Sequence, residues 1–153
     1  MAIRRGAVLI LARALIVTAA TLAVWLYLVR WQDRGRELNT CRIGFVYDGD
    51  TVALKCGDNE RTARVVGLDT PETRDARCDA EFQAGKRATE RLRELVKGGA
   101  VSYRRKGTDK YGRLLIELSV DGEDVAGTLV REGLAMPYRG GGRINWCQRL
   151  GES

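Results

Sequence analysis

Residues 46–52 read VYDGDTV. An Asp-Gly pair between apolar stretches is the strongest short signal for a β-hairpin. Ile43, Phe45 and Tyr47 alternate before the pair, and Val52 and Leu54 alternate after it, as two paired strands would. A turn needs only one Asp-Gly, yet a second acid, Asp50, follows at once. The stretch is therefore either an acidic hairpin turn or half of a cation site. An EF-hand loop is excluded. With Asp48 and Asp50 at its first and third positions, it would need an oxygen ligand near Val52, glycine at Ala53 and glutamate at Asn59.

Outward from the hairpin, residues 61–69 (RTARVVGLD) predict a third strand. It ends at DTPET, where Pro71 blocks continuation and biases Thr70 toward an extended conformation. Residues 79–99 change period. Ala84, Ala88, Leu92, Leu95 and Val96 form one apolar stripe of a helix, which Gly98-Gly99 stops. Residues 100–105 and 113–120 predict two more strands, joined through DGEDV to a second helix over residues 124–135. The glycine-rich tail, residues 139–153, predicts irregular structure. The order β-β-β-α-β-β-α suits a mainly β chain with two or three helices, either a small five-stranded OB-type barrel or an open α+β sheet.

The N-terminus differs in kind. Residues 14–29 are uncharged and mostly apolar, short for a span of about 20 residues. Extended back through Ala7 the run is long enough, with Arg13 able to snorkel. Trp25, Tyr27 and Trp31 suit an interfacial aromatic belt better than the small residues that end a cleaved signal peptide. The expected organisation is a signal anchor or transmembrane helix over residues 1–30, a linker over 31–40 and a domain over 41–153. Its domain would be exported, anchored in the inner or plasma membrane, or secreted if the segment is cleaved. Arg4 and Arg5 favour an N-terminus inside, an asymmetry that Arg30, Arg34 and Arg36 weaken. Of the net charge of +6, residues 1–37 carry +4, so overall charge says little about a polyanionic partner.

Four cysteines fit export. Cys41, Cys56, Cys78 and Cys147 form no CxxC, and the chain has no histidine, so a zinc site is disfavoured. Cys41 and Cys56 lie almost symmetrically about Asp48-Gly49 and could bridge the base of the hairpin. Cys78 with Cys147 would then tie the chain end to the middle of the domain. Free buried thiols are the alternative, and four cysteines allow three pairings.

The chemistry-bearing candidates fall in three places. VYDGDTV supplies Asp48 and Asp50. GLDTPET supplies Asp69, Thr70 and Glu72 where a strand ends, a common location for function on a rigid scaffold. Arg64, with apolar neighbours on both sides, calls for an anionic partner, and Arg113 follows TDKYG at a strand start. Each alone is ordinary. Together they are two aspartates for a hard divalent cation, a further acid and two arginines, which are the residue types of phosphoryl chemistry. Without histidine, a general base must be a carboxylate, Lys, Tyr or metal hydroxide, and Glu72 is the best-placed carboxylate.

VYDGDTV, RVVGLDTPET, TDKYGRLL and LVREGLA, in this order and spacing, resemble the main segments of the staphylococcal nuclease (thermonuclease-like) family over about residues 43–138. The resemblance implies a five-stranded OB-type barrel and a Ca²⁺-dependent nuclease acting on DNA and RNA with low sequence specificity, leaving 3′-phosphate ends. It implies that Asp50 and Asp69 hold the metal with the Thr70 carbonyl, with Asp48 as a supporting acid. Glu72 would position or deprotonate the attacking water, and Arg64 and Arg113 would grip the scissile phosphate. Lys110 and Tyr111 would contact a terminal phosphate, and Tyr138 would line the nucleotide pocket. The chain departs from the family after Tyr138, where GGGRINWC replaces a third helix. There Trp146 and a Cys78–Cys147 bond are expected to share that helix's packing. A monomer is expected. The alternative function is a catalytically weak nucleic-acid- or protein-binding module tethered to the membrane. A purely structural tethered domain would leave the conjunction of Asp50, Arg64, Asp69, Glu72 and Arg113 unexplained.

Overall fold

The computed structural model describes residues 15–30 and 41–152, which fall in two compact units divided after Leu38. In the first unit, residues 15–30 form helix α1, exposed along nearly its whole length. Among the described residues, no helix is long and apolar enough to cross a membrane. The expected anchor also draws on Arg4, Arg5, Arg13 and Trp31. These and the expected linker over 31–40 lie outside the described residues.

In the second unit, β1 (Arg42–Val46), β2 (Thr51–Cys56) and β3 (Asn59–Val65) form an antiparallel meander. After β4 (Gly67–Asp69) and helix α2 (Asp79–Gly98), β5 (Val101–Thr108) and β6 (Leu114–Val120) pair antiparallel, and β6 joins β3 in parallel. The sheet runs β1-β2-β3-β6-β5, with β7 (Glu123–Asp124) added beside β6. Helix α3 (Val125–Arg131), β8 (Met136–Tyr138) and helix α4 (Trp146–Arg149) complete the chain. The result is a mixed-sheet half-barrel of OB type rather than a closed five-stranded barrel. The pairs among the described residues do not join β1 to β5.

The core follows the apolar pattern. Leu114, Ile116, Leu118 and Val120 alternate inward along β6, and β2 buries Val52, Ala53 and Leu54. The predicted stripe of α2 lands on this core: Ala84, Ala88 and Leu92 are buried, while Leu95 and Val96 are half-buried against it. Arg91 forks onto the Glu132 carboxylate with two bonds of 2.7 Å, fastening α2 to the end of α3. Arg93 donates to the Val46 carbonyl at 3.1 Å, fastening α2 to β1.

Three expectations are corrected. A register shift between Ile43 and Phe45 breaks the alternation of β1. Val46 therefore turns inward, while Phe45 and Tyr47 stack edge-on in solvent. The single strand expected over residues 61–69 is two, β3 and β4. The chain breaks at Gly67, whose φ of 93° no other residue type adopts easily, and β4 leaves the main sheet to pair with β8. The tail is not wholly irregular, because α4 forms there, capped by the Asn145 side chain. The turn read at DGEDV forms as expected. Asp121 (φ 52°) and Gly122 (φ 85°) make the two-residue hairpin between β6 and β7, the positive-φ pair a tight hairpin demands.

Of the three possible pairings, the one with a bridged hairpin base forms. Cys41–Cys56 closes the β1–β2 hairpin and Cys78–Cys147 joins the start of α2 to α4.

Candidate active site

The hairpin turn and the end of β4 build one site because they pack on each other. Gly49 is absent from the positive-φ residues; its lack of a side chain serves contact instead. A Cβ there would lie 2.8 Å from both the Thr70 Cγ2 and the Ala88 Cβ. The turn thus seats against the residue following Asp69 and against α2. Within it, the Asp48 side chain accepts from the Asp50 amide at 3.1 Å. The Asp50 carbonyl accepts from the Val65 amide at 2.8 Å, pinning the turn to the end of β3.

Arg64, the penultimate residue of β3, receives both aspartates. Its Nη2 lies 2.6 Å from Asp50 Oδ2 and 3.4 Å from Asp69 Oδ1. Both carboxylates are almost fully buried, and Thr51 Oγ1 also donates to Asp50 Oδ1 at 2.8 Å. Burial pushes the Asp50 carboxyl up to about 7, while the Arg64 charge pulls it down and Asp48 adds to the rise. One guanidinium therefore offsets the buried negative charge only in part. Two carboxylates converging on one point, with the Thr70 backbone adjacent in sequence, are a donor set that fits a hard divalent cation.

A cavity of about 890 Å³ opens beside this cluster. Asp48, Arg64, Asp69, Glu72, Lys110, Tyr111, Arg113 and Tyr138 line it, whereas Asp50 and Thr70 are buried and not part of its lining. The structure thus brings every candidate of the three sequence segments to one place. Arg113 is held by its neighbour Asp109: Nε donates to Oδ2 at 2.7 Å, and the amides of Arg113 and Tyr111 donate to Oδ1 at 3.0 and 2.9 Å. Lys110 and Arg113 both lie over the exposed Tyr111 ring. Tyr138 donates its hydroxyl to the Gly141 carbonyl at 2.7 Å, so it braces the glycine-rich segment while forming part of the wall.

Three contributors were not identified as site residues from sequence. Glu81, buried in the first turn of α2, accepts from the amides of Arg77 (2.9 Å) and Glu72 (3.4 Å), fixing the loop that presents Glu72. An acid at the third helical position is a familiar capping signal, but its targets here lie upstream of the cap. Trp146, expected only as packing, donates its indole N–H to Asp69 Oδ2 at 3.0 Å. Arg143, between the triple glycine and Trp146, pairs with Glu72 and lies 3.9 Å from Asp69. Gly85 also matters: a Cβ there would meet the Glu72 carbonyl oxygen at 2.5 Å and that of Pro71 at 2.8 Å, so α2 rests directly on this backbone.

Comparisons with known proteins agree with the geometry. The model of a family described as staphylococcal nuclease homologue matches residues 62–145. Over 104 residues the chain is 39% identical to the SPbeta prophage-derived endonuclease YokF of Bacillus subtilis, covering 65% of this chain and 34% of that protein. It is 41% identical over 92 residues to endonuclease YncB of the same organism, covering 58% and 43%. An uncharacterized endonuclease of Haemophilus influenzae is 31% identical over 105 residues, covering 68% and 55%. The chain thus spans from about a third to just over half the length of these relatives. The family match begins after the β1–β2 hairpin, so the packing of the turn is what joins Asp48 and Asp50 to the rest.

Gly85→Ala provides a test of this construction. In an open helix the change would stabilise by about 1 kcal/mol. Here the new methyl meets backbone, so a melting temperature lowered by several degrees is expected, with displacement of Glu72. An unchanged or raised melting temperature would show that α2 does not bear on the loop.

Proposed function

The chain belongs to the family of staphylococcal nuclease homologues, and on that basis we propose that it is a Ca²⁺-dependent nuclease. It would hydrolyse phosphodiester bonds of DNA and RNA with low sequence specificity, leaving 3′-phosphate and 5′-hydroxyl ends. The observation that carries the proposal is the convergence of buried Asp50 and Asp69 on Arg64, beside a cavity that also presents Glu72 and Arg113. Asp50, Asp69 and the Thr70 carbonyl would hold the ion, which when bound supplies positive charge against phosphate oxygens and acidifies water.

The protein's own groups then divide the work. Arg64 and Arg113 offer planar forks that match non-bridging phosphate oxygens and stabilise the charge that builds on them. The Glu72 carboxylate takes a proton from water as its oxygen attacks phosphorus. The bond from phosphorus to O5′ breaks, and O5′ leaves to take a proton from solvent. Asp109 keeps the Arg113 guanidinium at the cavity wall until substrate arrives. Exposed Lys110 and Tyr111 would meet a terminal phosphate, and Tyr138 would line the nucleotide pocket. Contacts made mainly to phosphate carry no direct base information, so weak sequence preference follows.

Incubating the full chain with single-stranded DNA and Ca²⁺ is expected to give cleavage that a chelator abolishes. Arg64→Ala and Glu72→Ala should each slow it about a hundredfold or more. Binding without cleavage by the native chain would favour a binding module, and cleavage that ignores the chelator or survives both substitutions would sink the assignment.

The proposal extends to location. The apolar run in residues 14–29 and the two disulfides support an exported, membrane-tethered domain. The protein should then sediment with membranes and resist extraction at alkaline pH. Recovery in a soluble fraction with the N-terminal segment intact would argue against the tether.

A further inference from the structure

Among the cavity's cations, Arg143 has no part in the roles just assigned, and unlike Arg74 it pairs with the acids of the site. Arg143 follows Gly140, Gly141 and Gly142, and it faces the cavity between Glu72 and Asp69. The loop that carries it is fastened at both ends. On one side β8 pairs with β4, and on the other Trp146 bonds Asp69 while Cys147 is tied to Cys78. Between these anchors the Tyr138 hydroxyl holds the Gly141 carbonyl, but the glycines face open space: a Cβ placed on Gly140, Gly141 or Gly142 would meet nothing within 4 Å. Gly140 and Gly141 also hold φ values of 97° and 109°, so the backbone there is of a kind only glycine adopts readily.

The pairing conflicts with the work proposed for Glu72. A carboxylate that must accept a proton from water is here engaged by a guanidinium. That engagement can be exchanged from the arginine's side, because the Arg143 side chain is 47% exposed while Glu72 is 19% exposed, and a pair with one partner in solvent is weakly held. A phosphate in the cavity offers Arg143 a planar, bidentate anionic partner, a stronger match than one carboxylate oxygen.

Resting on the nuclease reading, we propose that Arg143 is a third phosphate-binding arginine, which covers Glu72 in the free protein and moves onto the substrate's phosphate backbone when nucleic acid binds. The exchange couples two events. Substrate gains a contact, and the Glu72 carboxylate is released for water only when a phosphate is present. The glycines supply the movement, while the disulfide and the Trp146–Asp69 bond limit its range.

Arg143→Ala and Arg143→Lys, made in the full chain, test this in two ways. Steady-state cleavage of single-stranded DNA with Ca²⁺ separates KM from kcat. Fluorescence anisotropy of a labelled thymidine oligonucleotide in chelator measures binding without catalysis. Arg143→Ala is expected to raise both KM and Kd about tenfold or more, with kcat changed by less than about threefold. Arg143→Lys, which keeps the charge but loses the fork, should fall between. Melting curves and thiol counts show whether each variant is folded, and the lysine variant carries the comparison if the alanine variant is not. Unchanged KM and Kd, or a fall in kcat alone, would overturn the assignment of Arg143. A native chain that neither binds nor cleaves would overturn the nuclease reading and this inference with it. Native cleavage matched by Arg143→Ala would remove only the latter.

Discussion

Two carboxylates held out of water need a cationic partner, and Arg64 provides it. Asp50 and Asp69 come from different loops, one from the β1–β2 turn and one from the end of β4, and both reach the same guanidinium nitrogen. Removing one partner of such a buried arrangement leaves uncompensated charge and costs several kcal/mol. The loops are therefore bound to each other electrostatically as well as by the close approach of Gly49 to Thr70. Two aspartates thus share one arginine, and burial, more than the neighbouring Asp48, raises the Asp50 carboxyl against the pull of Arg64. Such a pair of acids suits a divalent cation and, behind it, an anionic substrate.

Around that centre the remaining scaffold keeps the acids aimed. Glu81 ties α2 to the backbone of Glu72 and Arg77, and Gly85 lets the helix sit directly on the same loop. Trp146 reaches Asp69 from the opposite side, and the Cys78–Cys147 bond fixes the short helix that carries it. Where the family resemblance implied a third helix, a disulfide and one indole hydrogen bond hold the short α4 in place. The glycine-rich loop between β8 and α4 is left open over the cavity, with Arg143 at its end.

Much of this was legible before the structure, and the reasons differ by element. The stripe of α2 was clear because Ala84, Ala88 and Leu92 recur at helical spacing over a long segment. The Cys41–Cys56 pairing followed from hairpin symmetry. The phase of β1 was not legible, because a bulge between Ile43 and Phe45 moves every later side chain to the other face and leaves no mark in composition. Nor was the break at Gly67, since RTARVVGLD reads as one strand until β8, distant in sequence, pairs with its end. Of the site, the acids and arginines stood out by type and spacing. Glu81, Trp146 and Arg143 did not, because their roles come from particular contacts, spanning 4 to 77 positions, that no pattern of residue types announces. The VYDGDTV turn shows both sides: its acids and its turn were readable, but the close contact of its glycine with Thr70 was not.

The central claim is that the two aspartates act as one cation-dependent centre, although they arise on separate loops. The most direct measurement is Ca²⁺-dependent cleavage of single-stranded DNA by Asp50→Asn and Asp69→Asn, each verified as folded by its melting curve. Both substitutions nearly preserve shape while removing charge, so each should abolish Ca²⁺-stimulated cleavage. Native-level, Ca²⁺-stimulated activity in either folded variant would contradict the account.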